Sequence, residues 1–268
     1  MKIALLLFPL IFLLTTACEN SITSPGPQPY FLDNSKHTPM LNVFGVLRPD
    51  SLNGFPMSYI HLEQAYPVTP YPDSVEVSDA TITIYSFDKA SIDSIQLLYT
   101  DFNDAFSSKE YRHPHMPCHA EHSYSLECKR IGFPTLSGST TVPMVPRIID
   151  GSIHLNEDGV DFTLAFDPLA GLYDIYLFTE SASWSIRVPR PDHGDIRVHI
   201  PTSGVVVSQG VLRIYAYDLN LSEYITFNVS VKPNTYSSDY STVENGFGCF
   251  GSLNVAEVMI GQELDAGK

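Results

Sequence analysis

The chain has 268 residues, of which 15 are basic and 30 are acidic, giving a formal net charge of −15 at pH 7. An acidic surface argues against nucleic acid or an anionic lipid surface as a partner, because both need a basic contact surface. Hydrophobic residues make up 44% of the chain, enough for a sizeable core, and 20 prolines with 16 glycines favour short strands joined by turns over a helical bundle.

The first seventeen residues have the layout of a secretory signal that ends at a cysteine. Lys2 supplies the positively charged amino-terminal region of such a signal. The apolar run Ile3–Leu14 that follows is too short to span a bilayer about 30 Å thick as a stable helix. Leu14–Cys18 (LTTAC) then places small side chains before a cysteine. This segment resembles the bacterial lipobox, which implies cleavage before Cys18 and attachment of a diacylglycerol to its thiol, although Thr15 stands where that motif usually has an aliphatic residue. The alternative is an ordinary secretory signal with an incidental cysteine.

We therefore expect a signal peptide at residues 1–17 and a lipid anchor at Cys18 that carries acyl chains such as palmitate. Two or three acyl chains hold a protein at a membrane almost permanently. Residues 18–37 are polar, contain three prolines and show no periodicity, which predicts a flexible tether. Removing the signal takes away Lys2 and no acidic residue, so the mature chain of about 250 residues is long enough for one large or two ordinary domains.

Residues 38–145 are predicted to form a first β-sandwich domain. Apolar and polar residues alternate in short runs, each bounded by Pro, Gly, Asn or Asp, and this pattern is typical of strands in a sandwich. The predicted strands are Met40–Leu47, Met57–Gln64, Ala80–Phe87, His122–Arg130 and Ser137–Val142.

Residues 146–268 are predicted to form a second, immunoglobulin-like β-sandwich, because the prolines of Pro143–Arg147 (PMVPR) mark a boundary. Leu221–Val231 is ambiguous: Leu221, Tyr224 and Ile225 have helical spacing, whereas β-branched and aromatic residues that alternate through the same segment favour a strand. The predicted strands of this domain are Gly159–Phe166, Tyr173–Glu180, Ser183–Val188, Asp195–Ile200, Val211–Leu219 and Leu253–Ile260.

With Cys18 lipidated, three cysteines remain. In an oxidising envelope Cys118 and Cys128 are the natural pair, and a disulfide between them would contribute about 2 to 3 kcal/mol on the loop-entropy model. Cys249 lies between Phe247 and Phe250 and is expected to be a buried, inert thiol.

Three further stretches carry a family resemblance: Leu41–Leu47 (LNVFGVL), Val77–Ile82 (VSDATI) and Val243–Gly251 (VENGFGCFG). They resemble a family of Bacteroidota outer-membrane lipoproteins defined only as a domain of unknown function and often encoded near TonB-dependent transporters. The likeness spans most of the mature chain and is strongest at its ends. It implies a short helix at Leu221–Val231, and the family offers no established catalytic residues to carry over.

Two patterns within the chain could carry chemistry. Gly246–Gly251 formally matches the dinucleotide fingerprint GxGxxG, but a strand follows it, so glycines that permit a tight turn with positive φ are the better interpretation. Imidazole and thiolate are ordinary ligands of zinc and copper, yet no fixed metal-binding spacing occurs, so a solvated loop is favoured over a metal site. The weak metal candidates are His113, His115, His119 and His122.

Three short motifs resemble the O-glycosylation acceptor of Bacteroidota, in which Asp precedes Ser or Thr and an aliphatic residue follows. They are expected in loops, with Ser51, Ser74 and Ser94 as the acceptors.

The anchor, the β pattern and the resemblance together indicate a non-enzymatic lipoprotein of the outer membrane, without a cofactor. Its expected role is that of an accessory or ligand-binding subunit of a TonB-dependent uptake system, with a transporter barrel as partner. A structural or adhesive surface module and a hydrolase on a β scaffold stay open as alternatives. The ligand and the membrane face, periplasmic or cell-surface, also stay open.

Overall fold

A computed structural model describes residues 39–52, 55–65, 76–88, 91–101, 109–228 and 241–261. The predicted signal, tether and lipid anchor at Cys18 lie outside the described residues, as does Ser74. The described part is mostly β-structure and contains one helix, which confirms the predicted all-β class. That helix is not long and apolar enough to cross a membrane.

The strands of the amino-terminal half are β1 (Met40–Leu47), β2 (Ser51–Leu52), β3 (Phe55–Pro56), β4 (Tyr59–Ala65), β5 (Thr81–Asp88), β6 (Ser91–Asp101), β7 (Lys109–Arg112), β8 (Ser123–Lys129) and β9 (Leu136–Thr141). The carboxy-terminal half contains β10 (His154–Leu155), β11 (Gly159–Leu164), β12 (Ala170–Phe178), β13 (Ser183–Pro189), β14 (Ile196–Pro201), β15 (Gly210–Asp218), α1 (Leu219–Asn228), β16 (Val243–Glu244) and β17 (Gly246–Ile260).

The amino-terminal half is a sandwich whose two layers share one core. In one layer β1 pairs with β4, and in the other β5 pairs with β8 and β8 with β9. Strand β6 joins the layers, because its first part pairs with β5 and its last four residues pair with β7. Apolar side chains from both layers, such as Val43, Ile84 and Leu126, form the core.

The carboxy-terminal half is a second sandwich with its own core. A four-stranded sheet in the order β13-β12-β15-β17 faces a three-stranded sheet in the order β10-β11-β14. Every second side chain of these strands points inward, as the alternation in the sequence predicts. Ile175, Ile214 and Val198 represent the core, and Trp184 packs against it.

The long last strand belongs to both sandwiches. Residues 246–252 of β17 pair in parallel with β1, and residues 253–260 pair antiparallel with β15. Phe250, on the first part, is fully buried in the amino-terminal core, whereas Ile260 packs in the carboxy-terminal one. The two sandwiches are therefore connected by continuous backbone hydrogen bonding as well as by the chain between them.

The glycine-rich run of β17 is a strand and not the tight turn that the sequence indicates. Within Gly246–Gly251, Gly248 alone has a positive φ, +101°. A Cβ atom there would lie 1.9 Å from the carbonyl oxygen of Val43, and one on Gly246 would lie 2.7 Å from that of Leu41. Gly246 and Gly248 therefore lie where the backbone of β1 passes too close for side chains, whereas a Cβ on Gly251 would meet Leu221 and Asp218 at the start of the helix that follows β15.

Helix α1 covers the second side of β1 and the first part of β17. Leu221 and Tyr224 of the helix pack with Phe44, Cys249 and Leu253 in a third apolar cluster. Both faces of β1 are consequently buried, which explains its almost uninterrupted apolar sequence. The structure resolves the ambiguity at Leu221–Val231 in favour of helix through Asn228.

Candidate functional site

The four candidate histidines lie on the connection between β7 and β8, in two pairs. The ring centroids of His113 and His115 are 6.3 Å apart, and those of His119 and His122 are 5.4 Å apart. The Nδ1 atom of His122 is 3.0 Å from the carbonyl oxygen of Ala120, so this ring is engaged with its own loop. Across the described ranges, no three His, Cys, Asp or Glu side chains are grouped in a way that could hold a metal ion.

The predicted disulfide between Cys118 and Cys128 is corrected by the structure, in which both are free, buried thiols. Cys118 lies near Tyr124, the pKa of which it helps to raise. Cys128 lies on β8 and is fully buried in the same core. A disulfide needs Cβ atoms within about 4.5 Å of each other, and burial in one core does not by itself bring two cysteines that close.

All three cysteines of the described part should be unreactive while the chain is folded. Burial raises the pKa of Cys118 to about 12 and also raises the pKa values of Cys128 and Cys249. Since the thiolate is the reactive species, we expect almost no alkylation by iodoacetamide at neutral pH. In denaturant without reductant all three should be alkylated, as mass spectrometry of the peptides would show. A peptide pair linking Cys118 to Cys128 would contradict this expectation.

The candidate glycosylation residues within the described part are exposed but lie in strands. Ser51 is an exposed residue of the short strand β2. Ser94 is exposed on β6, where it pairs with Tyr85 of β5, so its predicted position in a loop is wrong.

A cleft opens between the two sandwiches at the start of helix α1, with Asp218 buried beside it. The Asp218 carboxylate accepts hydrogen bonds from the Thr140 hydroxyl at 2.5 Å and from the amide of Leu221 at 2.8 Å, which makes it the helix N-cap. This junction cleft has a volume of about 310 Å³. Its lining residues are Ser123, Ser139, Thr140, Thr141, Leu169, Asp218, Leu219 and Asn220.

Burial raises the pKa of Asp218 to about 6, against the opposing effect of its hydrogen bonds. A buried carboxyl with a raised pKa beside a cleft often marks a functional site. Here the hydrogen bonds give a structural explanation instead, because both carboxylate oxygens are used to cap the helix and to hold Thr140. Asp218 is also the one carboxylate among the residues that line this cleft in the described part of the chain.

A different arrangement lies on the outer side of the sheet β13-β12-β15-β17. The strand register places the outward side chains in three rows across the four strands. We call these rows, together with Tyr217, the aromatic face. The first row is Arg187, Asp174, Tyr215 and Val255, the second is Ser185, Tyr176, Arg213 and Glu257, and the third is Ser183, Phe178, Val211 and Met259.

Four aromatic rings form a continuous series on this face. Tyr176 and Phe178 are stacked with ring centroids 6.1 Å apart, and Tyr215 and Tyr217 are stacked at 6.5 Å. Tyr176 meets Tyr215 edge to face at 5.8 Å, which joins the two stacked pairs. These separations are those of favourable aromatic pairs, so the rings hold one another in place.

The charged side chains of the face are paired with each other. Arg187 donates two hydrogen bonds of 2.7 Å to the carboxylate of Asp174, and Arg213 donates one of 2.6 Å to Glu257. Each of these hydrogen bonds raises the pKa of its guanidinium group, which stays charged. The Arg213 guanidinium also lies over the ring of Phe178, 5.6 Å from its centroid. Cation and ring are thus fixed before any ligand arrives.

Sequence reasoning predicts the strands that carry the aromatic face but not the face itself. Tyr176 with Phe178, and Tyr215 with Tyr217, recur at period two on the polar side of their strands, and that spacing is the available signal. The rows depend on the register of four strands, two of which are about 70 residues apart along the chain.

The fold and this face define an all-β protein of two linked β-sandwiches with an ordered, partly exposed aromatic surface, in which Tyr215 and Tyr217 also pack against the apolar cluster under helix α1. Among solved structures, the chain is similar to a segment of two fibronectin type III domains from chicken tenascin, with 10% sequence identity and a TM-score of 0.23. The similarity covers 59% of this chain and 83% of the tenascin segment. No protein-family model and no curated protein matches the chain.

Proposed function

We propose that the chain is a lipid-anchored, non-catalytic binding module of the bacterial cell envelope. In this proposal it serves a TonB-dependent outer-membrane uptake system as its accessory or ligand-capturing subunit. The lipobox-like segment ending at Cys18 supports the anchor, and the resemblance of the mature chain supports the link to a transporter. The observation that carries the binding role is the aromatic face.

The aromatic face has the properties of a preorganised binding surface. Its rings and guanidinium groups are held by contacts within the face, so a ligand would not have to order them, and ordering side chains lowers affinity. Phe178 and Met259 are exposed, at 38% and 57% of their full surface. Tyrosine, phenylalanine, methionine and arginine are all enriched, relative to the rest of the surface, where proteins bind other macromolecules.

Affinity purification from native outer membranes tests the proposed role. The full chain, extracted in mild detergent, should bring down a transporter barrel that mass spectrometry identifies. A Cys18→Ser variant cannot be acylated, so we expect it in the soluble envelope fraction with little or no barrel bound. Recovery of the wild-type chain alone would count against the accessory role, and an unmodified peptide containing Cys18 would rule out the anchor.

A further inference from the structure

We infer that the aromatic face binds an uncharged, hydroxyl-rich carbohydrate, an inference that rests on the proposed binding role and names its ligand class. The face combines partly exposed aromatic rings with hydrogen-bonding groups that lie in the same surface. A sugar ring is complementary to such a surface, because its C–H groups form an apolar side and its hydroxyl groups project from the rim. Apolar surface with a few fixed polar groups is the usual composition of a small-molecule site.

The charges of the face favour an uncharged ligand. Its four charged side chains, Arg187, Asp174, Arg213 and Glu257, form two ion pairs, so the face is neutral although the chain carries a net charge of −15. An anionic ligand would have to compete with Asp174 and Glu257 for the guanidinium groups. A cationic ligand would have to compete with the arginines for the carboxylates, so neither charge sign finds a free partner on the face.

The paired groups still have hydrogen-bonding capacity for hydroxyl groups. The side chains of Arg187, Arg213 and Glu257 remain 45%, 39% and 55% exposed. A guanidinium group has five N–H donors, more than these ion pairs use, and the second carboxylate oxygen of Glu257 is an additional acceptor. Two guanidinium donors and one carboxylate acceptor therefore remain accessible beside the rings for the hydroxyl groups of a ligand.

The size of the face favours an oligosaccharide over a protein partner. The three rows on four strands, without Tyr217, span about 15 Å by 13 Å, given the spacing of strands and of residues along them. That area of about 200 Å² is roughly a quarter of the 800 Å² that a stable protein interface usually occupies on each partner. An oligosaccharide of a few units matches it.

Calorimetric titration of the detergent-purified full chain tests the inference. The probes are uncharged hexasaccharides of glucose, xylose and mannose in α and β linkage, with heparin and polygalacturonate as anionic probes. We expect at least one neutral hexasaccharide to bind, and its affinity should change little between low and high salt because no net charge is involved. The anionic probes should not bind at the face.

A Tyr176→Ala/Phe178→Ala variant should lose about tenfold or more in affinity for that hexasaccharide, since it removes two of the rings against which the sugar would stack. Tyr85→Ala is the matched control, because Tyr85 is a partly exposed tyrosine on strand β5 of the other sandwich. Its affinity should stay within about twofold of wild type, because Tyr85 contributes no ring contact to the face. Unchanged thermal unfolding of both variants would show that the folds are intact.

Three outcomes would overturn the carbohydrate inference. The first is that no neutral hexasaccharide binds. The second is that the Tyr176→Ala/Phe178→Ala variant binds the hexasaccharide as tightly as the wild type does. The third is that this variant still binds the sugar but no longer co-purifies with a transporter barrel. The first two outcomes leave the accessory role untouched if the barrel still co-purifies. Failure of the barrel to co-purify while a sugar binds would instead reject the accessory role alone.

Discussion

The substitution Gly248→Ala is expected to destabilise the protein by about 3 kcal/mol or more, among the largest effects of any single methyl group in this chain. Gly248 has φ +101°, a conformation that residues with a Cβ rarely adopt. The added Cβ would also lie 1.9 Å from the carbonyl oxygen of Val43 and 2.8 Å from Oδ1 of Asn42. Because both atoms belong to the paired strand β1, relief requires moving β1 or β17.

Gly132→Ala is the matched control for this prediction. Gly132 also has a positive φ, +86°, but an added Cβ would meet no heavy atom within 4 Å. Its replacement should cost only the conformational strain, about 1 to 2 kcal/mol. The difference between the two variants therefore measures the close approach of β1 to β17, and urea unfolding of each gives both free energies.

The fluorescence of Trp184 during unfolding shows whether the destabilisation caused by Gly248→Ala reaches the carboxy-terminal sandwich. Trp184 is the only tryptophan and packs in the carboxy-terminal core, whereas Gly248 pairs with β1 of the amino-terminal sandwich. Because β17 runs through both sandwiches, we expect the Trp184 fluorescence transition to shift together with the far-ultraviolet circular dichroism. Equal losses in the two glycine variants, or an unchanged Trp184 transition in Gly248→Ala, would contradict this account.

The sequence predicts the strands of this fold well wherever an inward face alternates with an outward one. The prediction for β1, Met40–Leu47, matches its observed bounds, and β11 and β13 agree within two residues. In these segments the local pattern and the tertiary environment favour the same structure. Strands such as these can be read from hydrophobic periodicity alone.

The sequence fails where distant pairing decides the structure. Strand β6 is not predicted because polar and apolar residues mix along it, and its two parts pair with different neighbours. The first part of β17 looks like a turn because of its glycines, yet the partner β1, about 200 residues earlier, keeps it extended. Local propensity carries no information about such a partner.

The same distinction applies to the candidate sites. The histidines are metal candidates because they are close in sequence, but the structure leaves them as two pairs on one connection. The disulfide between Cys118 and Cys128 is predicted from their short separation in the sequence and from an oxidising compartment. Neither property determines where strand β8 places Cys128 relative to Cys118. The aromatic face has no short motif, since each strand supplies only three or four of its side chains.

The free energy of unfolding of the wild type, relative to an Asp218→Asn variant, should fall by about 3 kcal/mol as the pH rises from about 4 to above 6. Asp218 has a pKa of about 6 in the folded chain and an ordinary value of 3.8. The folded state therefore binds this proton more tightly than the unfolded state does. Below pH 3.8 the carboxyl is neutral in both states, and between 3.8 and 6 folding must increasingly bury a charge.

The Asp218→Asn variant isolates this effect because its side chain does not titrate. Its amide oxygen can still accept the hydrogen bond from the amide of Leu221, so the helix N-cap is kept. Other titrating groups are common to both proteins and cancel in the difference. Urea unfolding at several pH values between about 4 and 7 gives the difference curve, and a flat curve would contradict the raised pKa of Asp218.

A Thr140→Val substitution should shift the upper end of this window to higher pH. The Thr140 hydroxyl donates a 2.5 Å hydrogen bond to Oδ2 of Asp218 and contacts the hydroxyl of Ser252 at 2.8 Å. Removing a donor to the ionised form raises the pKa of a carboxyl further. The second difference curve compares the free energy of unfolding of Thr140→Val with that of the Thr140→Val/Asp218→Asn double variant. This curve should continue to fall at a pH where the curve for the wild type and Asp218→Asn has levelled off. An unchanged window would mean that Thr140 does not stabilise the charge, and that backbone amides at the start of α1 and in β17 hold this carboxylate between the two sandwiches.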